Sequence, residues 1–111
     1  MNFILADQLL QQSKKGNYKK IANNTYLTRD DLGNICIYLH RTPIITMHPD
    51  GTATLDSGGY RTATTKERFG LITCNVYQDK FDWYIGNSGK PIPFFDGVKV
   101  DSVGKVLNAP N

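Results

Sequence analysis

The sequence predicts an α+β fold: a small, strongly twisted antiparallel sheet, half-rolled toward a barrel, with an N-terminal helix and one short insert helix. Three observations carry this. Ile35-Cys-Ile-Tyr-Leu-His40 alternates with the period of two that a half-buried strand needs. Pro49-Asp50-Gly51 stands between two strand-like runs and reads as a tight turn, because proline presets φ and glycine accepts φ > 0. Helical signals are confined to Phe3–Lys15 and to a short segment after Gly58-Gly59.

Taken in order, Phe3 to Lys15 reads as an amphipathic helix, with Ile4 or Leu5, Gln8 or Leu9, and Gln12 at helical spacing. Lys14 and Lys15 are expected in its last turn, where cations suit the helix dipole, and Gly16 is the expected stop. Ile21 to Thr28 is β-like, interrupted at Asn23-Asn24. Asp30 to Asn34 reads as a hairpin loop, and residues 33–56 as a meander. In it Ile35, Ile37 and Leu39 face one way and Cys36, Tyr38 and His40 the other. Pro43 is expected to break the chain before the strand Ile44–His48. Gly58-Gly59 closes the meander. Thr64 and Glu67 then fit a capping box for a helix from Thr65 to Ile72. Cys74–Gln78 and Phe81–Ile85 read as a hairpin across Asp79-Lys80, with Phe81, Trp83 and Ile85 inside. Gly86 to Pro93 reads as a loop, Asp96-Gly97 as a turn into a last short strand, and the tail from Asp101 as weakly patterned chain that frays. The whole is one domain, 1–111: residues 1–18 around the helix, 19–100 as the sheet core, 101–111 as a flexible tail.

Bulk properties narrow the function classes. A chain of 111 residues can bury a core without metals or disulfides. Its net charge of +3, from 13 basic and 10 acidic residues, permits an acidic partner without demanding one. Cys36 and Cys74 sit in apolar, strand-like contexts and read as small buried hydrophobes rather than a disulfide. The N-terminus lacks a basic region and Asp7 interrupts its apolar run, so it does not read as a signal peptide. No stretch approaches membrane-spanning length. The expectation is a cytosolic protein with no membrane contact.

Candidate chemistry is sparse. His40-Arg41-Thr42 matches one H-x-T element of the two-histidine phosphoesterases, which need a second histidine to share acid and base work on one phosphate. The remaining histidine, His48, lacks that setting. Neither histidine has the close-spaced partners of a metal site, and neither cysteine has a catalytic flank, so no metal, cofactor or catalytic residue is expected. The segment Leu55 to Arg68 is richer. Thr64 and Glu67 are explained as helix capping, which leaves Tyr60, Arg61, Thr62 and Arg68 as a candidate contact surface. Arg61 paired to Asp56 is the plainer alternative. Lys14, Lys15, Lys19 and Lys20 cluster around Tyr18, as an electrostatic footprint or as a solvated linker.

Several pieces together resemble a widespread type of small, mostly uncharacterised protein of tailed bacteriophages. They are Asn24-Thr25, Tyr38-Leu-His-Arg-Thr42, Asp50-Gly-Thr-Ala-Thr-Leu55, Ser57-Gly-Gly-Tyr-Arg-Thr-Ala-Thr-Thr-Lys-Glu-Arg68, Trp83-Tyr84 and Pro93-Phe-Phe-Asp-Gly97. The resemblance leaves out the N-terminal helix and departs at Phe69, where the type carries a polar residue. It implies phage origin and action in the host bacterial cytoplasm, and it carries no catalytic residues. The expectation is a non-enzymatic accessory protein that works by binding a host protein, such as one of antiviral defence. The alternative is a nucleic-acid-binding module using the four lysines with Arg61 and Arg68. A virion structural component and a small phosphoesterase at His40 and Thr42 follow. Exposed sheet edges would permit a homodimer.

Overall fold

A computed structural model describes residues 1–14, 16–72, 74–86 and 91–109. Helix α1 (Phe3–Gln11) starts at Asn2, whose side chain accepts a hydrogen bond from the Leu5 N–H. It is shorter than expected. The Ser13 hydroxyl donates to the Leu10 carbonyl and accepts from the Gly16 N–H, so Ser13 turns the chain where lysines would have continued the helix. Lys14 therefore lies beyond the helix, and Lys15 falls outside the described residues. The buried stripe is also rotated from the expected one. Ala6 and Leu10, four apart, are fully buried, while Ile4 and Leu5 are exposed.

Five strands follow as a meander: β1 (Tyr18–Ala22), β2 (Thr25–Arg29), β3 (Ile35–Leu39), β4 (Thr42–Met47) and β5 (Ala53–Leu55). The Asn23-Asn24 interruption is a hairpin turn with Asn24 at positive φ, a conformation that asparagine tolerates better than most residues. Asp30 builds the next turn, accepting from the Leu32 and Asn34 N–H groups and the Asn34 side chain. Pro43 lies inside β4 rather than breaking it. A bulge accommodates the proline: Ile37 pairs with Ile45 and Tyr38 with Pro43, which leaves Ile44 as the extra residue. Ile44 and Ile45 are consequently both buried, and the Ile44 carbonyl accepts from Asp56.

Helix α2 (Ala63–Phe69) begins two residues earlier than expected. Its N-cap is Thr62, whose hydroxyl accepts from the Thr65 N–H, and not Thr64 with Glu67. The register follows burial: Thr65 and Phe69, four apart, are the buried positions. The hairpin of β6 (Val76–Asp79) and β7 (Asp82–Ile85) turns at Lys80-Phe81, one residue later than expected. Trp83 and Ile85 are buried as the alternation implies, but Phe81 is at the tip and 93% exposed. Ile92–Pro93, read as loop, adds a short strand β8 to β7.

Strand β9 (Val98–Val100) crosses back to pair with β5, giving a six-stranded sheet ordered β1-β2-β3-β4-β5-β9 and a separate sheet β6-β7-β8, neither of them closed. The segment after Asp101, expected to fray, is paired through residue 108. Val106 bridges Val100, the Leu107 N–H donates to the Lys99 carbonyl, and Asn108 accepts from the Lys99 N–H.

The core lies between one face of the large sheet and a layer made of α1, α2 and the small sheet. Leu27, Ile35, Ile37, Ile45 and Leu55 project into it from the sheet, and Leu10, Phe69 and Ile85 from the layer. The alternate positions, Tyr26 and Tyr38 among them, form an outer face.

Candidate functional site

Two separately expected segments meet at one end of the sheet. The β3–β4 turn brings Leu39, His40, Arg41 and Thr42. The loop into α2 brings Ser57, Tyr60, Thr62, Thr64 and Thr65. Together they line a half-open cavity of about 540 Å³, floored by Leu39 and Ile44. Ser57, fully buried, is fixed in the wall because its N–H and hydroxyl both donate to Asp96 Oδ1, at 2.7 and 2.8 Å. Gly58 and Gly59 both take positive φ to turn the loop, and Gly58 packs against Thr42. The cavity is walled with hydroxyls and carries one exposed guanidinium, Arg41.

The four candidate contact residues divide. Tyr60 is 66% exposed at the cavity mouth. Arg61 does not pair with Asp56. Its guanidinium carbon lies 5.7 Å from the Trp83 ring centroid and 5.1 Å from that of Phe94, and Lys66 Nζ lies 5.6 Å from Trp83. Thr62 caps α2 and also faces the cavity. Arg68 is a structural tie: its Nε donates to the buried Thr25 hydroxyl at 2.8 Å, Nη2 reaches the Asn23 carbonyl, and Nη1 meets Glu67. Arg68 thus pins α2 to the β1–β2 turn.

The lysine cluster also divides. Lys20 lies opposite Tyr26 and shares the outer face with it, whereas Lys19 lies opposite the core residue Leu27. Lys14 is exposed past α1.

The histidines flank β4 at its two ends, so roughly 20 Å of strand separates them at about 3.3 Å per residue. They do not converge on one phosphate. His48 is held between Asn34 and Thr54, at 3.0 and 2.8 Å. Among the described residues no group of three or more His, Cys, Asp or Glu is placed to hold a metal ion. Burial pushes the Cys74 thiol up to about 12, and its S–H donates to the Phe69 carbonyl; burial likewise raises Cys36, beside Thr46. A nucleophilic cysteine needs a thiolate, and burial opposes one here. At pH 8 the folded protein is therefore expected to react with an aromatic disulfide reagent at least about tenfold more slowly than the same chain in denaturant. Equal rates would show that the thiols are not buried.

Sequence reading missed Phe81. Lys80 and Phe81 both sit at positive φ, the geometry of a two-residue hairpin loop that normally selects Asn-Gly or Asp-Gly. A bulky aromatic there is strained. The available signal was the Asp79-Lys80-Phe81-Asp82 run, whose charges suggested a turn but did not locate it.

Fold and site together define a small α+β protein built around an open sheet, with aromatic side chains presented on its loops and free face. The chain belongs to the Kyanoviridae Gp96 protein family, whose profile matches residues 4–101. It is thus a cyanophage protein, in agreement with the tailed-phage resemblance, and the match takes in nearly all of α1 as well. No curated protein and no solved structure matches it. No helix among the described residues is long and apolar enough to cross a membrane.

Proposed function

We propose that this phage protein acts in the host cell by binding a host protein, as a modulator or inhibitor, through the ridge made by Tyr60, Arg61, Lys66 and the Phe81 hairpin. The observation that carries this reading is Phe81, an almost fully exposed aromatic held in a left-handed conformation. Left-handed backbone costs an ordinary residue about 1–2 kcal/mol, and such strain collects where function requires it. Aromatic and arginine side chains are also those that dominate interface energetics. The ridge is continuous: Arg61 and Lys66 lie over Trp83, and Lys66 Nζ reaches Gln78 at 3.4 Å on the adjacent strand. A host protein of antiviral defence is the partner this reading favours.

Phe81→Gly separates function from folding. It is expected to raise stability by about 0.5–1 kcal/mol, because relief of the left-handed strain exceeds the extra unfolded-state entropy of glycine. The same variant is expected to lose the host protein recovered in equal amount with tagged wild type from nuclease-treated cyanobacterial lysate. Undiminished recovery by Phe81→Gly combined with Tyr60→Ser would refute the proposed surface. A wild-type pull-down with no stoichiometric protein would refute the reading altogether.

A further inference from the structure

The outer face of the large sheet carries a different chemistry. None of its six strands contains an aspartate or glutamate, whereas together they carry Lys19, Lys20, Arg29 and Lys99. Arg29 is withdrawn to the core side, where it pairs with Asp7 of α1. Lys20 and Lys99 belong to the outer face, since their cross-strand partners are Tyr26 and Thr54, the residues that alternate with the core set. Carboxylates border this face only from the loops. Asp30 and Asp50 lie at one end, and both are held below the usual carboxylate range, Asp30 chiefly by the Asn34 side chain and Asp50 chiefly by the Thr52 hydroxyl. Asp56, one residue past Leu55, lies at the other end, which also carries His40 and Arg41.

Three tyrosines cross this face on adjacent strands. Tyr18 of β1 stacks on Tyr26 of β2 with centroids 5.4 Å apart and planes 24° from parallel. Tyr26 lies directly opposite Tyr38 of β3. Between them they span two strand spacings, about 10 Å. Tyr18 is half exposed and the other two are partly exposed. The strip beside them is low and hydroxyl-bearing, made of Thr28, Cys36, Thr46 and Thr54.

We infer that this open sheet face binds single-stranded nucleic acid, with two or three bases laid on Tyr18, Tyr26 and Tyr38 and the backbone drawn by Lys20 and Arg41. Each half of the surface demands this partner. A sheet face with cations and no strand carboxylate selects a polyanion. Flat rings at strand spacing select a polyanion that also offers stackable planes, which single strands do and duplexes do not. A protein partner would need counter-charge and a shape for the rings to fill. The face is distinct from the Phe81 ridge, so the two proposals stand or fall separately.

The test is fluorescence anisotropy with labelled twelve-nucleotide oligo(dT) and oligo(rU) at low salt, repeated as a salt titration. Binding is expected, weakening as salt rises. Tyr26→Leu and Tyr38→Leu are each expected to weaken binding at least about fivefold, the lower end of what a lost base–aromatic stack gives. Tyr26→Phe and Tyr38→Phe are expected to retain it, because the ring is kept. Lys20→Ala is expected to lower the salt slope by about 0.7, the share of one phosphate on a single strand. Phe81→Gly is expected to leave oligonucleotide binding unchanged. No binding to either oligonucleotide at low salt overturns the inference. So does binding that the two leucine variants retain while they melt at the wild-type temperature. Loss of the ridge-bound host protein in those leucine variants, with no oligonucleotide binding in any form, would assign the face to protein instead.

Discussion

Replacing Phe69 by alanine is expected to destabilise the fold by about 3–5 kcal/mol, the range for deleting a buried aromatic ring. The position explains the magnitude. Phe69 is the last residue of α2, fully buried, with its ring 5.4 Å from that of Phe94, which in turn meets Trp83 at 5.8 Å. One ring therefore joins α2 and the small sheet to the core cluster. Domains of this size have about 5–15 kcal/mol in total, so much of the margin is lost. The measurement is urea unfolding followed by fluorescence of Trp83, the single tryptophan, which sits in the same cluster. A midpoint lower by roughly 1.5–3 M is expected with a typical slope for a small domain. Phe69→Leu, which keeps most of the volume, is expected to cost less than about 1.5–2 kcal/mol. A loss under about 1.5 kcal/mol for alanine would mean that the aromatic cluster is not packed as described.

Gly58→Ala is expected to cost about 2–4 kcal/mol, from two separate causes. Gly58 has φ +62°, where any Cβ is strained, and its Cβ would overlap the Thr42 Cγ2 methyl. Thr42 is in β4, its backbone held by pairing with Leu39, so relief must come from turning the γ-methyl out of its place. Gly59 is the internal control. It also has positive φ, at +84°, but a Cβ there meets nothing within 4 Å. Gly59→Ala should therefore show the backbone penalty alone, about 1–2 kcal/mol. Adding Thr42→Ser to Gly58→Ala removes the methyl and is expected to restore the difference between the two glycines, a coupling that distant substitutions would not show. Equal losses at Gly58 and Gly59, with no rescue from position 42, would separate the loop from the strand and dissolve the cavity wall they form.

Which parts of this architecture were readable in advance follows from the range of the forces involved. Alternation in Ile35–Leu39 and the Pro49-Asp50-Gly51 turn are local consequences of pleat and backbone conformation, and both are realised as read; His40, expected to continue the alternation, instead leaves the strand into the turn at positive φ. The capping error at α2 is also local in origin. Thr62 and Thr64 are both competent N-caps, and burial of Thr65 and Phe69 chose between them. Phe81 was misplaced because alternation in Phe81–Ile85 is the same whether the strand begins at 81 or 82. Only pairing of Asp79 with Asp82 fixes the turn.

The candidate site shows the same division. Tyr60, Arg61 and Thr62 were readable as unexplained by loop grammar, but their neighbours were not. His40 and Arg41 join them because β5, antiparallel to β4, returns the chain to that end of the sheet. Arg68 is drawn inward by Thr25, 43 positions earlier, whose buried hydroxyl donates to the Asn23 carbonyl and accepts from the guanidinium. The four lysines could form one footprint or a solvated linker by sequence, yet strand alternation sends Lys19 and Lys20 to opposite faces. The tyrosine stripe could not be seen at all: Tyr18, Tyr26 and Tyr38 are separated in the chain and come together only through strand register.

By itself, then, the sequence determined an antiparallel α+β domain, most of its turns, the burial of Cys36 and its kinship with tailed-phage proteins, because these depend on neighbouring residues and on composition. Only the tertiary structure decided that β9 crosses to β5, that the tail is paired, that Arg68 is a tie and Phe81 a presented ring, and that three tyrosines share a face whose strands carry no carboxylate. Each of those outcomes depends on which distant groups are brought together, and strand pairing and burial set that for the chain as a whole.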